Sequence, residues 1–140
     1  MDPVELARQC AQRMYADDAA SQCLGITISD VGPGTATATM VVRPDMVNGH
    51  GICHGGYVFT LADTAFAFAC NTYGERTVAA GADIAFLEPV PAGETLTAAA
   101  VERWRRGRSG IYDVTIRSDD GTIVAEFRGR SRTVGKSAAG

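Results

Sequence analysis

The sequence predicts an α+β fold: an antiparallel sheet of five or six strands wrapped around one long central helix. Three observations predict it. Residues 55–73 form an apolar stretch of helical length. Two strand-like runs precede it, joined by a Gly-Pro-Gly turn. Four more runs follow, separated by turn chemistry. A sheet with one apolar face and a helix apolar nearly all round bury each other most economically as two layers.

Residues 3–15 read as a helix, with Asp2 as cap, Pro3 at the first position, and Val4, Leu6, Ala7, Cys10, Ala11 and Met14 as an apolar face. Residues 25–31 and 35–42 alternate and predict a hairpin around the turn at 32–34. Residues 43–51 read as a loop. The stretch at 55–73 is a helix by its length and its glycine brackets, with Gly74 as the expected C-cap. Strands are expected at 76–87, 95–105, 109–118 and 122–133, the last two joined through Asp120-Gly121. The domain reading is an N-terminal helix over 1–20, one domain over 21–135 and a disordered tail over 136–140.

Bulk properties narrow the function. A chain of 140 residues suits one core. A net charge of −3 argues against a general nucleic-acid surface, so no nucleic-acid partner is expected. No run approaches the ~20 apolar residues of a membrane span. The four cysteines form no CxxC pair and read as free thiols of the cytoplasm. His50, Cys53 and His54 do not match a zinc spacing, so no metal is expected.

Asp63 is the only Asp, Glu, Lys or Arg between Met46 and Gly74. A carboxylate on a buried helix must be paired, protonated, or placed at a cleft or subunit interface, because an unpaired buried ion is too costly. Desolvation raises its pKa towards the range of a general base. Ahead of the helix, "NGHGICHGG" carries four glycines over residues 48–56. The free N–H groups at Gly55, Gly56 and Tyr57 can hold a carbonyl oxygen that becomes an oxyanion, or the glycines can simply make a tight turn. Asn48 and His54 can orient a carbonyl or a water, or His54 can be a satisfied residue at the helix start. Asp63 lies about 12 Å along the axis from Gly55. A two-fold dimer with antiparallel helices removes that distance by setting Gly55 of one chain against Asp63 of the other.

In "ERWRRGRSG", alternation sets Arg103 and Arg105 on one face and Trp104 on the other. Arg106 and Arg108 flank the turn and are the better phosphate candidates, or the cluster is simply a solvated strand end and turn.

These residues resemble a family. "NGHGICHGGYVFTLADTAFAFACN" is similar to the signature of the phenylacetate-degradation (PaaI-type) thioesterases of the hot-dog superfamily. The hallmark N-x-x-G-x-x-H-G-G followed by L-x-D appears as Asn48, Gly51, His54-Gly55-Gly56 and Leu61-Ala62-Asp63. "IAFLEPVPAGETLTAAA", "GRSGIYDVTI" and "TIVAEFRGRSRTVG" resemble later strands of the family.

The resemblance implies hydrolysis of an acyl-CoA thioester, phenylacetyl-CoA or a ring-hydroxylated relative first, by a cytoplasmic homotetramer built of dimers with shared sites. No cofactor is implied, CoA being part of the substrate. Asp63 is implied as base or nucleophile, the Gly55 N–H as the group polarising the carbonyl, Asn48 and His54 as neighbours of thioester and water, and Thr64 as a supporting hydroxyl. Gly56, Tyr57, Phe59 and Phe66 are expected near the acyl group, and Arg106, Arg108 and Ser109 near CoA. Two other readings stand beside it: a non-catalytic acyl-CoA-binding sensor, and a hot-dog hydratase or dehydratase, ranked low because no His follows Asp63.

Overall fold

A computed structural model describes residues 1–136 as two layers, a six-stranded antiparallel sheet and the helix it wraps. In chain order come α1 (Pro3–Asp17), α2 (Ala19–Cys23), β1 (Thr27–Gly32), β2 (Thr35–Val41), a 3₁₀ turn (Pro44–Met46), α3 (Gly55–Cys70), β3 (Glu75–Phe86), β4 (Thr95–Arg106), β5 (Ser109–Arg117) and β6 (Ile123–Lys136). The sheet order is β1-β2-β4-β5-β6-β3, so β1 and β3 are its edges.

Alternation builds the core. Ala36, Ala38 and Met40 of β2, Leu96, Ala98 and Ala100 of β4, and Tyr112, Val114 and Ile116 of β5 are buried, with exposed or half-buried residues between them. They meet α3, whose Phe66 ring packs 5.7 Å from Tyr112 and 5.8 Å from Phe127. The N-terminal helices join the same core rather than standing apart. Tyr15 packs 6.5 Å from Phe68, and its hydroxyl donates to the Ile26 carbonyl at 2.6 Å. The expected boundary between residues 20 and 21 therefore falls inside α2.

Several expectations need correction. α1 runs on to Asp17, with Asp2 accepting from the Val4 N–H at 3.1 Å as a cap should. α2 is an addition to the expected elements; Asp18 caps it through Ser21, accepting from its N–H at 3.0 Å and its hydroxyl at 2.6 Å. α3 stops at Cys70, not Tyr73, because Asn71 takes over the chain's polar groups there. Its side-chain NH₂ donates to the carbonyls of Ala67 at 2.8 Å and Thr77 at 2.9 Å, and its Oδ1 accepts from the Thr77 N–H at 2.9 Å. Gly74, at φ 77°, is instead the left-handed turn into β3.

A β-bulge between Glu102 and Trp104 overturns the alternation expected for the arginines. Arg103 pairs with Asp113 at 3.2 Å on the outer face, whereas Arg105 turns to the helix side and lies 3.5 Å over the Tyr73 ring. Trp104 pairs with Ile111, sharing the outer face. Lys136 belongs to β6; the rest of the expected tail, 137–140, lies outside the described residues. No helix among the described residues is long and apolar enough to cross a membrane.

Candidate active site

The loop before α3 is held by its own polar groups. Asn48 Oδ1 accepts from the N–H groups of His50 at 2.9 Å and Ile52 at 3.4 Å. The Asn48 carbonyl accepts from Gly51 at 3.0 Å, and the Asn48 N–H donates to the Ile52 carbonyl at 2.8 Å. This leaves the Asn48 NH₂ without a partner among the described residues. His54 docks through its N–H to the Met46 carbonyl at 2.8 Å and caps α3, its Nδ1 accepting from the Gly56 N–H at 3.0 Å. Its carbonyl takes the Tyr57 N–H at 3.0 Å.

The Gly56 and Tyr57 donors are therefore occupied. The Gly55 N–H is not: no acceptor reaches it among the described residues. Gly55 opens onto a cleft of about 370 Å³ whose walls include Asn48, Val58, Phe86, Leu87 and Val90. An unpaired donor at a helix start, on a residue that lines a largely apolar cleft, suits an oxygen that gains negative charge. A larger hollow of about 600 Å³ lies between α1 and β1 and contains none of the motif residues.

Asp63 sits two turns further along α3 and is not on that cleft's lining. From Thr60 onward, only Thr60, Asp63 and Ala67 of α3 escape full burial. At this spacing they form one stripe, the single face of the helix its own sheet leaves open. No hydrogen bond or ion pair reaches the Asp63 carboxylate among the described residues. Burial alone pushes its pKa up from the ordinary carboxylate range. Burial likewise pushes the Cys70 thiol up to about 12, to which the Asp63 charge adds, so that thiol is no nucleophile.

The other anticipated residues separate. Thr64 is buried, and its hydroxyl donates back to the Thr60 carbonyl at 2.7 Å. Tyr57 stands edge-on to His54, with ring centroids 6.4 Å apart. Phe59 is half-buried and packs 5.4 Å from Phe127. Phe66 does not line the cleft at all. It is 1% exposed and presses on Gly129, where an added Cβ would stand 2.7 Å from its ring. An all-apolar helix gives no sign of which of its aromatics faces the sheet. Sequence reasoning misses Phe86, because its place beside Gly55 depends on strand pairing that no spacing encodes.

At the β4–β5 turn, Arg106 pairs with Ser109 across the hairpin, and Arg108 is exposed beside them. Neither arginine has an acidic partner among the described residues, in contrast to Arg103 and Arg105. Ser109 Oγ accepts weakly from Arg132 at 3.5 Å. Among the described residues no group of three or more His, Cys, Asp or Glu side chains could hold a metal ion. All four cysteines are free.

Comparison with known proteins bears on the family and the fold. The family model "Thioesterase superfamily" matches residues 50–125. The acyl-coenzyme A thioesterase PaaI of Escherichia coli is 46% identical over 96% of this chain and 96% of its own. The solved structure of the E. coli PaaI protein from the phenylacetic acid degradation operon superposes with a TM-score of 0.95 at 45% identity, covering 97% of this chain and 99% of that one. A mutant of the phenylacetic acid degradation protein PaaI from Thermus thermophilus gives a TM-score of 0.78 at 36% identity, over 81% of this chain and 97% of that one.

Proposed function

The chain belongs to the thioesterase superfamily, and from that membership we propose that it hydrolyses acyl-CoA thioesters to free acid and CoA, with phenylacetyl-CoA or a ring-hydroxylated relative as substrate. The observation that carries the reading is Asp63: an unpaired carboxylate on the one open face of an otherwise buried helix. No protein group among the described residues offsets the desolvation that raises its pKa, as suits a carboxylate kept for a reaction.

In the reaction, the thioester carbonyl oxygen accepts from the Gly55 N–H. Asp63 takes a proton from water as it attacks the carbonyl carbon, or attacks that carbon itself and is freed by water in a second step. The tetrahedral oxyanion collapses, the C–S bond breaks, and the thiolate leaves to take up a proton. The Asn48 NH₂ is free to reach a carbonyl or water. Thr64, back-bonded to Thr60, fixes the turn that carries Asp63. Arg106 and Arg108, with Ser109 beside them, are the groups for the CoA phosphates.

An apolar sheet edge supports the dimer part of this reading. β3 is an edge strand whose Val78 is 41% exposed and whose flank carries Phe86 and Leu87, 56% and 52% exposed. An uncovered apolar edge invites pairing with a second copy. Such pairing lays two α3 stripes side by side and brings Gly55 of one protomer to Asp63 of its partner. Two dimers then form a homotetramer, in a reducing cytoplasm suited to free thiols.

The test is thiol release from acetyl-, hexanoyl-, palmitoyl-, benzoyl-, phenylacetyl- and hydroxyphenylacetyl-CoA. Hydrolysis favouring the arylacetyl thioesters supports the reading; binding without hydrolysis of any of them would replace it with the sensor. Mixing Gly55→Pro chains with Asp63→Asn chains tests the shared site. Proline is tolerated at the first helical position but has no N–H. Each mixed dimer keeps one intact site and regains activity. No recovery after confirmed subunit exchange would refute sharing.

A further inference from the structure

Phe86 lies on the start of α3. A methyl group added to Gly55 would stand 3.0 Å from Phe86 Cζ, 3.3 Å from Cε1 and 3.4 Å from Cε2. The outer edge of the ring therefore rests against the residue whose N–H is unpaired. The stem of Phe86 is fixed. Phe86 pairs with Ala125 in β6, the next residue's N–H donates to the Val124 carbonyl at 2.9 Å, and the Val90 carbonyl accepts from the Cys53 N–H at 2.7 Å. The ring itself has few holds within one protomer: Phe86 is 56% exposed there, at the edge that the dimer reading covers, and stacks on no other aromatic ring among the described residues. Within the protomer the backbone on both sides of Gly55 is hydrogen-bonded, and the Phe86 ring is the side chain that rests on it.

The cleft beside that ring is large enough for a small ligand group, and Val58, Leu87, Val90 and Val124 make its walls apolar. Glu88 is exposed on its lining, a charge that repels phosphates. The cleft thus suits the acyl end of a thioester and disfavours the nucleotide end. Resting on the thioester-hydrolase reading above, we propose that Phe86 is a specificity-determining residue: its ring turns off Gly55 as the thioester carbonyl docks, then closes edge-to-face on an aromatic acyl group. Aromatic pairs prefer that arrangement, with ring centroids about 4.5–7 Å apart. A two-carbon acyl group offers the ring nothing to close on.

The experiment compares kcat/KM for phenylacetyl-CoA and acetyl-CoA in wild type, Phe86→Ala, Phe86→Leu, Gly55→Ala and the Gly55→Ala/Phe86→Ala double variant. Phe86→Ala lowers the phenylacetyl-to-acetyl ratio about twofold to thirteenfold, the span of one aromatic pair. Phe86→Leu, which keeps bulk without the aromatic face, loses part of that. Gly55→Ala keeps its N–H and makes the ring give by a few tenths of an ångström, so it lowers the ratio less than Phe86→Ala does, and adds nothing to that loss once Phe86 is alanine. A wild type that hydrolyses both thioesters with a ratio indifferent to Phe86 overturns the proposal. So does a Phe86→Ala chain that dissociates and loses both activities equally, since the ring is then an interface element. A wild type inactive on every thioester overturns the hydrolase reading instead, and the two failures are told apart by that measurement alone.

Discussion

The two ends of α3 are built to opposite rules. At the C-terminal end the polar side chains of Asn71, Thr72 and Tyr73 are all hydrogen-bonded. Asn71 makes three strong bonds to Ala67 and Thr77. Thr72 donates to Ala69 at 2.9 Å and accepts from Gly34 at 2.8 Å. Tyr73 and Tyr112 both donate to Glu102 Oε1, at 2.8 and 2.9 Å. At the N-terminal end and along the open stripe, the Gly55 N–H and the Asp63 carboxylate are left without protein partners among the described residues. One end holds the fold; the other keeps its bonding capacity for something that is not the chain. The difference teaches where to look for chemistry: at the place where a helix otherwise locked into its sheet stops satisfying itself.

The largest test of that contrast is Asp63→Asn. Turnover should fall about a thousandfold, the middle of the range for a positioned base, while thioester binding persists. Near-normal turnover would erase the distinction between the ends. The same group predicts the pH profile. Either role of Asp63 needs the ionised form, and burial raises its pKa, so kcat/KM should fall with acidification at a pH above the ordinary carboxylate range. Stability runs the other way. With its folded pKa raised, Asp63 is neutral in both folded and unfolded chains below the unfolded value, and its ionisation opposes folding above the raised one. Asp63→Asn should therefore be more stable than wild type at neutral pH, with the gain vanishing in acid. Denaturation curves at neutral and acid pH check it.

At the other end of the helix, Asn71→Ala should lower stability by about 3 kcal/mol, because it strands the buried N–H and carbonyl of Thr77. Urea titration measures this, and a loss below about 1 kcal/mol would show that the clamp is dispensable. A similar but smaller effect is expected of Gly129→Ala. Its Cβ would stand 2.7 Å from the Phe66 ring, and overpacking of this kind costs about 1–3 kcal/mol. Smallest of all, Arg106→Ala or Arg108→Ala should raise KM for an acyl-CoA a few-fold and leave KM for the corresponding acyl-pantetheine, which lacks the nucleotide, unmoved. Equal shifts with both substrates would place these arginines elsewhere in the mechanism.

Much of this is legible in the sequence. The hairpin at β1 and β2, the start of α3 and all four later strands follow from alternation and turn residues. Asn48, His54, Gly55 and Asp63 stand out by motif and by the isolation of one charge. What is not legible depends on pairing between distant strands. The bulge at Arg103, which reverses the faces of Trp104 and Arg105, exists only in register with β5. Phe86 reaches Gly55 only because β3 runs beside β6. The end of α3 is misplaced for a local reason: Gly74 looks like the stop, but Asn71 offers both a donor and an acceptor, and its bonds to Thr77 end the helix sooner. α2 does have a signal in Asp18 and Ser21, a cap pattern easily overlooked in a helix of only five residues.

The order in which the chain is made adds a last constraint. β3 leaves the ribosome long before its sole neighbour in the sheet, pairing Glu75 with Lys136 and Phe86 with Ala125. Until β6 arrives, Phe86 has no frame to hold it over Gly55, though every residue of the signature motif has already been synthesised. A message cut within β6 would thus give a chain that carries the whole motif but leaves β3 without its sheet partner and Phe86 without its frame, while β2, β4 and β5 are still there to cover α3. For this protein, reading the motif in a transcript is no guarantee of the enzyme.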